Sequence, residues 1–215
     1  TPTCSRKTQV SRTSPLETLD MLLLTVPHAK REASGDHDEG AMRMIPHLRV
    51  ALDNAGVDYE VLVGDDTYRS ILDLNRGESR HTEFAKELRV LLKKATYHID
   101  LHSFPYTSQD ASDDVSITAM GDDIRNWSVS DVVFLSIPNI TDPIFLEEMK
   151  MGLEKTIVVD DIQTDDYNYV TVFAQVAMDV PSVLIELNEG SVQSYPAVAA
   201  EIARTVGRLL DSVVS

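Results

Sequence analysis

Short apolar runs recur along the chain, separated by longer amphipathic segments. MLLLTV (21–26), YEVLV (59–63), YHIDL (97–101), VVFLSI (132–137), TIVVD (156–160) and VLIEL (183–187) have the length and the aliphatic and aromatic content of strands. Helical spacing runs through EGAMRMIPHLRVALDNAG (39–56), TEFAKELRVLLKKA (82–95), DPIFLEEMKMGLE (142–154) and YNYVTVFAQVAM (167–178). A further helix is expected at YPAVAAEIARTVGRLLDSVV (195–214), with Val198, Ile202, Val206 and Leu209 on its apolar stripe. Apolar strands alternating with helices predict a single-domain α/β fold, with a mostly parallel (mixed) sheet covered by helices on both faces. Pro46 conflicts with the first helical pattern, because proline removes a donor and kinks a helix interior; a bend or a late start is expected there.

The segment TPTCSRKTQVSRTSP (1–15) lacks either period and reads as part of a tail or extension over residues 1–19, with the domain at 20–215. Two long polar connections, 64–81 and 102–131, are of the length that usually carries function or mobility.

The 215 residues are 43% apolar, enough for one sizeable core. With 19 basic and 35 acidic residues the net charge is -16, which repels phosphate backbones and anionic membranes; neither nucleic acid nor a membrane is an expected partner. Cys4 is the sole cysteine, which excludes an intrachain disulfide and a cysteine-rich zinc site and favours a reducing compartment. The apolar runs are too short to span a bilayer and no basic-then-apolar leader opens the sequence, so a soluble, cytoplasmic protein is expected.

Three strand ends offer functional groups. His28 follows the first strand, His102 follows the third, and Glu186 lies within the last. In a parallel sheet such residues converge on one carboxyl edge, the usual place for ligands in open α/β sheets. Two histidines and a carboxylate are the donor types of a hydrolytic zinc site, which keeps a further position open. A carboxylate ligand is available from SGDHDEGA (34–41), where Glu39 and Asp38 are the candidates and His37 a lesser one. Those acidic residues are equally suited to capping the helix and complementing its dipole. In DLNRGESR (73–80), Asn75 and Arg76 can grip a carboxylate, since a guanidinium offers a planar fork and an amide adds a donor. Arg69, Arg76 and Arg80 form a basic cluster in an acidic chain, although at least one is expected to be an ordinary surface ion pair.

DLNR, DLHS and VLIEL, in that order, resemble the zinc carboxypeptidase superfamily, and the PH pair at 27–28 ahead of them is similar to its N-formylglutamate amidohydrolase branch. The resemblance covers roughly residues 20 to 210, on a few short motifs. It implies His28 and His102 as zinc ligands with an acidic third ligand at the head of the first helix, Glu39 being preferred because it begins that helix and Asp38 being the alternative. The chain departs from the His-x-x-Glu pattern: position 31 is Arg, and Glu32 follows one residue late. Asn75 and Arg76 would take the substrate carboxylate, helped by Arg80, and Glu186 would be the general base. Arg69 or Arg80 would stabilise the oxyanion. The implied activity is zinc-dependent amide hydrolysis on a carboxylate-bearing small molecule or peptide, such as an N-acyl amino acid. A small metallocarboxypeptidase and a catalytically silent carboxylate-binding protein are the alternatives. The sequence contains no G-x-S-x-G, P-loop or G-x-G-x-x-G, which removes the serine-hydrolase and nucleotide readings.

Overall fold

The computed structural model describes residues 20–31, 37–104, 130–153, 155–160 and 169–214. The tail, most of the 102–131 connection, and Ser34, Asp36 and Glu32 lie outside the described residues. Six strands form one sheet: β1 (Met21–Val26), β2 (Asp58–Val63), β3 (Ala95–Phe104), β4 (Val132–Ser136), β5 (Thr156–Asp160) and β6 (Ser182–Asn188), in the order β2-β1-β3-β6-β4-β5. Four of the five pairings are parallel; β4 enters beside β6 antiparallel, so the sheet is mixed. The chain leaves β1 for β2 on one side and returns to β3 on the other. This reversal opens a crevice at the carboxyl ends of β1 and β3.

The helices are α1 (Glu39–Ala55), α2 (Glu83–Leu92), α3 (Pro143–Met151), α4 (Tyr169–Val172, continued by a π-turn at Phe173–Ala177) and α5 (Tyr195–Val214). One face of the sheet buries Leu22, Leu24, Ile99, Leu101, Val183 and Ile185 against Met44, Leu48 and Leu52 of α1, Phe145 and Met149 of α3, and Val198, Ile202 and Val206 of α5. On the opposite face Leu23 packs with Phe84, Leu88 and Leu92 of α2 and with Val170 and Ala174 of α4. α1 begins at Glu39 and continues across Pro46, which sits on the exposed side of the helix, where a missing N–H costs least. Gly56 ends it in the left-handed region at φ 68°. α2 and α3 begin where their caps dictate: Thr82 and Asp142 accept from the N–H groups of Ala85 and Phe145.

Candidate metal centre

The crevice between β1 and β3 gathers its three central side chains from three segments. His28 lies two residues past β1, Asp38 is the residue before α1, and His102 sits near the carboxyl end of β3; all three are buried. His28 Nδ1 and His102 Nδ1 each lie 3.1 Å from the same Asp38 oxygen, Oδ2. The two rings meet edge to face with centroids 5.0 Å apart. One donor atom from each residue falls within 4.8 Å of the others, a spacing that can hold a metal ion.

Glu39, the residue preferred on sequence, is elsewhere. Its carboxylate turns outward and takes a 2.5 Å ion pair from Arg43 one helical turn on. The reason is register: Asp38 is still outside the helix, with its N–H donated to the His28 carbonyl at 2.9 Å, so its side chain is drawn into the crevice. Glu39 is already helical and points along the first turn. His37, the lesser candidate, is not among the three grouped residues.

Asp73 and Asp100 occupy the far sides of the imidazoles. His28 Nε2 lies 2.6 Å from Asp73 Oδ1, and His102 Nε2 lies 3.3 Å from Asp100 Oδ2. A carboxylate behind each ring fixes its orientation and leaves Nδ1 toward Asp38, as outer partners do for metal-bound histidines. The field is cationic in preference. Burial works against a charged imidazole, yet the flanking carboxylates hold the His28 pKa above its ordinary value and that of His102 well above it. Burial also raises carboxyl pKa values, but the two histidines outweigh it and hold Asp38 below the usual carboxylate range. Three carboxylates around two imidazoles thus favour positive charge where their Nδ1 atoms converge, and the donor set fits a divalent ion.

Glu186 is directly opposite His102 in the β3–β6 register. Burial is the main cause that pushes its carboxyl up to about 7, with His102, Arg69 and His28 pulling the other way and Asp38 reinforcing it. The residue is nevertheless partly exposed.

DLNR lies beside the centre, with its side chains in different settings. Asn75 is 3% exposed, with Oδ1 accepting from the Val170 N–H at 2.9 Å and Nδ2 3.1 Å from His102 Nε2. The amide therefore ties α4 to the centre through Oδ1 and Nδ2. Arg76 donates from Nε to Asp73 Oδ2 at 3.0 Å, and Arg69 Nε stands 3.6 Å from the same oxygen. Both side chains stay about one-third exposed, 28% for Arg76 and 33% for Arg69. Arg80 is exposed on the short 3-10 turn at Gly77–His81. The sequence reading missed Asp73 and Asp100, although the first opens DLNR and the second shares the face of β3 that carries His102.

Gly40 sets how closely α1 approaches β3. Its N–H donates to Ser103 Oγ at 3.0 Å and Glu189 Oε1 at 3.1 Å, placing a carboxylate at the helix N-terminus. A Cβ at Gly40 would lie 2.6 Å from the Tyr195 hydroxyl and 2.8 Å from Ser103 Cβ. Gly40→Ala is expected to destabilise the fold by about 1–3 kcal/mol through overpacking. Urea unfolding midpoints test this, and a variant as stable as the parent would contradict the close approach.

The fold has solved counterparts. It matches a gene product of Agrobacterium tumefaciens at TM-score 0.55 and 14% identity, covering 91% of this chain and 92% of that one. N-formylglutamate amidohydrolase from Ralstonia eutropha matches at TM-score 0.50 and 12% identity, over 93% and 96% of the two chains. The D,L-carboxypeptidase Csd4 of Helicobacter pylori matches at TM-score 0.51 and 13% identity, over 90% of this chain and 51% of that longer one. The fold is zinc-carboxypeptidase-like. No family model and no curated protein matches the sequence. Among the described residues, no helix is long and apolar enough to cross a membrane.

Proposed function

We propose that the chain is a zinc-dependent hydrolase that cleaves the amide bond of a carboxylate-bearing substrate, an N-acyl amino acid of the N-formylglutamate type. The reading is carried by the convergence of His28, Asp38 and His102 at the sheet's switch point with Glu186 in register beside His102. The fold shared with N-formylglutamate amidohydrolase agrees with it. His28, Asp38 and His102 would hold the ion. Zinc held by three side chains supplies an activated water near neutral pH and polarises a carbonyl. Glu186 accepts a proton on its carboxylate and returns it to the leaving nitrogen, one group serving both transfers. Arg69, whose charge reaches Glu186, faces the developing oxyanion. Arg76 receives the substrate carboxylate, and Asn75 links His102 to α4 beside it.

Arg76 gives the test of substrate class. Arg76→Ala is expected to lower kcat/KM for N-acyl amino acids by more than about tenfold while affecting the matched neutral amides far less, because a desolvated charged pair is worth about 2–5 kcal/mol. Arg76→Lys should recover little of the loss, since an ammonium lacks the bidentate fork. Equal losses on acid and amide would show that Arg76 serves only to hold Asp73. A hydrolysis screen of the zinc-loaded protein over N-acyl amino acids and short peptides separates the amidohydrolase from the carboxypeptidase reading.

A further inference from the structure

The face of β3 that carries His102 also carries His98 and Asp100, because side chains two apart on a strand point the same way. With Thr25 of β1, Thr171 of α4 and Ser182 of β6 they form a polar cluster at 0% exposure behind the metal centre. Nothing in the proposed reaction uses most of these groups, and burying so many polar atoms is costly unless each is paired.

We propose that a hydrogen-bond chain with one fixed direction, from Ser182 through His98 and Thr25 to Asp100, fixes the Asp100 carboxylate behind His102 and so orients the ring whose Nδ1 faces Asp38. The direction follows from the carboxylate end. Asp100, ionised between its neighbours, can only accept. Thr25 spends its single hydroxyl proton on Asp100 Oδ1 at 2.6 Å, so its lone pair receives His98 Nε2–H at 2.9 Å. A neutral His98 then has only a lone pair left at Nδ1, which accepts from the Ser182 hydroxyl at 2.6 Å. Burial lowers the His98 pKa to about 4, in keeping with a neutral ring. Thr171 donates to Asp100 Oδ2 at 3.2 Å, the oxygen that faces His102 Nε2 at 3.3 Å.

Asp100 Oδ2 thus backs His102 Nε2 at 3.3 Å, held in place from behind by Thr25 and Thr171. Thr25 and His98 are therefore positioning residues for the metal centre. Neither is within reach of a substrate.

The inference rests on the zinc reading for its purpose, and two measurements keep the two apart. Nitrogen-proton correlation spectra of the metal-free wild-type protein should show His98 with its proton on Nε2. A proton on Nδ1 overturns the chain. Competition titration with zinc should show Thr25→Val weakened by about tenfold or more, as outer partners of metal-bound histidines are, with Thr25→Ser restoring affinity to within about threefold. Thr25→Val binding zinc as tightly as wild type overturns the positioning role. A wild-type protein that binds no zinc but keeps Nε2–H on His98 supports the chain and refutes the zinc reading; zinc binding with Nδ1–H on His98 does the reverse.

Discussion

Asp38→Asn is expected to lower zinc affinity by more than about 100-fold, while Glu39→Gln leaves it unchanged, because outer partners alone are worth 10- to 100-fold and a direct ligand is worth more. The two acidic residues are adjacent in sequence and differ only in where the helix begins. Asp38 Oδ2 stands 3.1 Å from both His28 Nδ1 and His102 Nδ1, whereas Glu39 is paired with Arg43 on the surface. The asparagine side chain has nearly the same shape, so the fold is retained and the change isolates the charge between two imidazoles. Competition titration with a chromogenic chelator reads both variants. The opposite order, with Glu39→Gln the damaging change, would mean that α1 unwinds by a residue on metal binding.

Glu186→Gln is expected to retain zinc and substrate affinity and to reduce kcat by roughly 100-fold or more, the usual contribution of a positioned proton-transfer group. Glutamine keeps the shape and the partly exposed position beside His102 but cannot accept and return a proton. The split between an unchanged KM and a lowered kcat distinguishes this role from a structural one. Wild-type turnover in the variant would remove Glu186 from the reaction.

Much of this arrangement was legible before the fold was described. The six apolar runs became the six strands, two of them unshifted and the others shifted by at most three residues at an end, since buried strands of one sheet leave a strong periodic signal. His28, His102 and Glu186 converge as strand-end residues of a parallel sheet should. The antiparallel entry of β4 had no local signature, because direction depends on a connection and not on the strand's own pattern. Asp38 against Glu39 turned on one residue of helix register, which periodicity does not resolve. The burial of Asn75 could not be read from DLNR alone, because it depends on the N–H of Val170, a residue far away in sequence at the start of α4. The alternation His98, Asp100, His102 was visible, but a polar stripe on a strand ordinarily faces solvent, and only the cover given by α4 makes it a buried network.

The central claim is that His28, Asp38 and His102 together hold one zinc ion, and an anomalous difference map at the zinc absorption edge from crystals of zinc-loaded protein tests it most directly. The account predicts one strong peak in each chain within bonding distance of His28 Nδ1, Asp38 Oδ2 and His102 Nδ1, about 2.0–2.2 Å from each. A map without a peak in that crevice, or with its only peak on other residues, would contradict it.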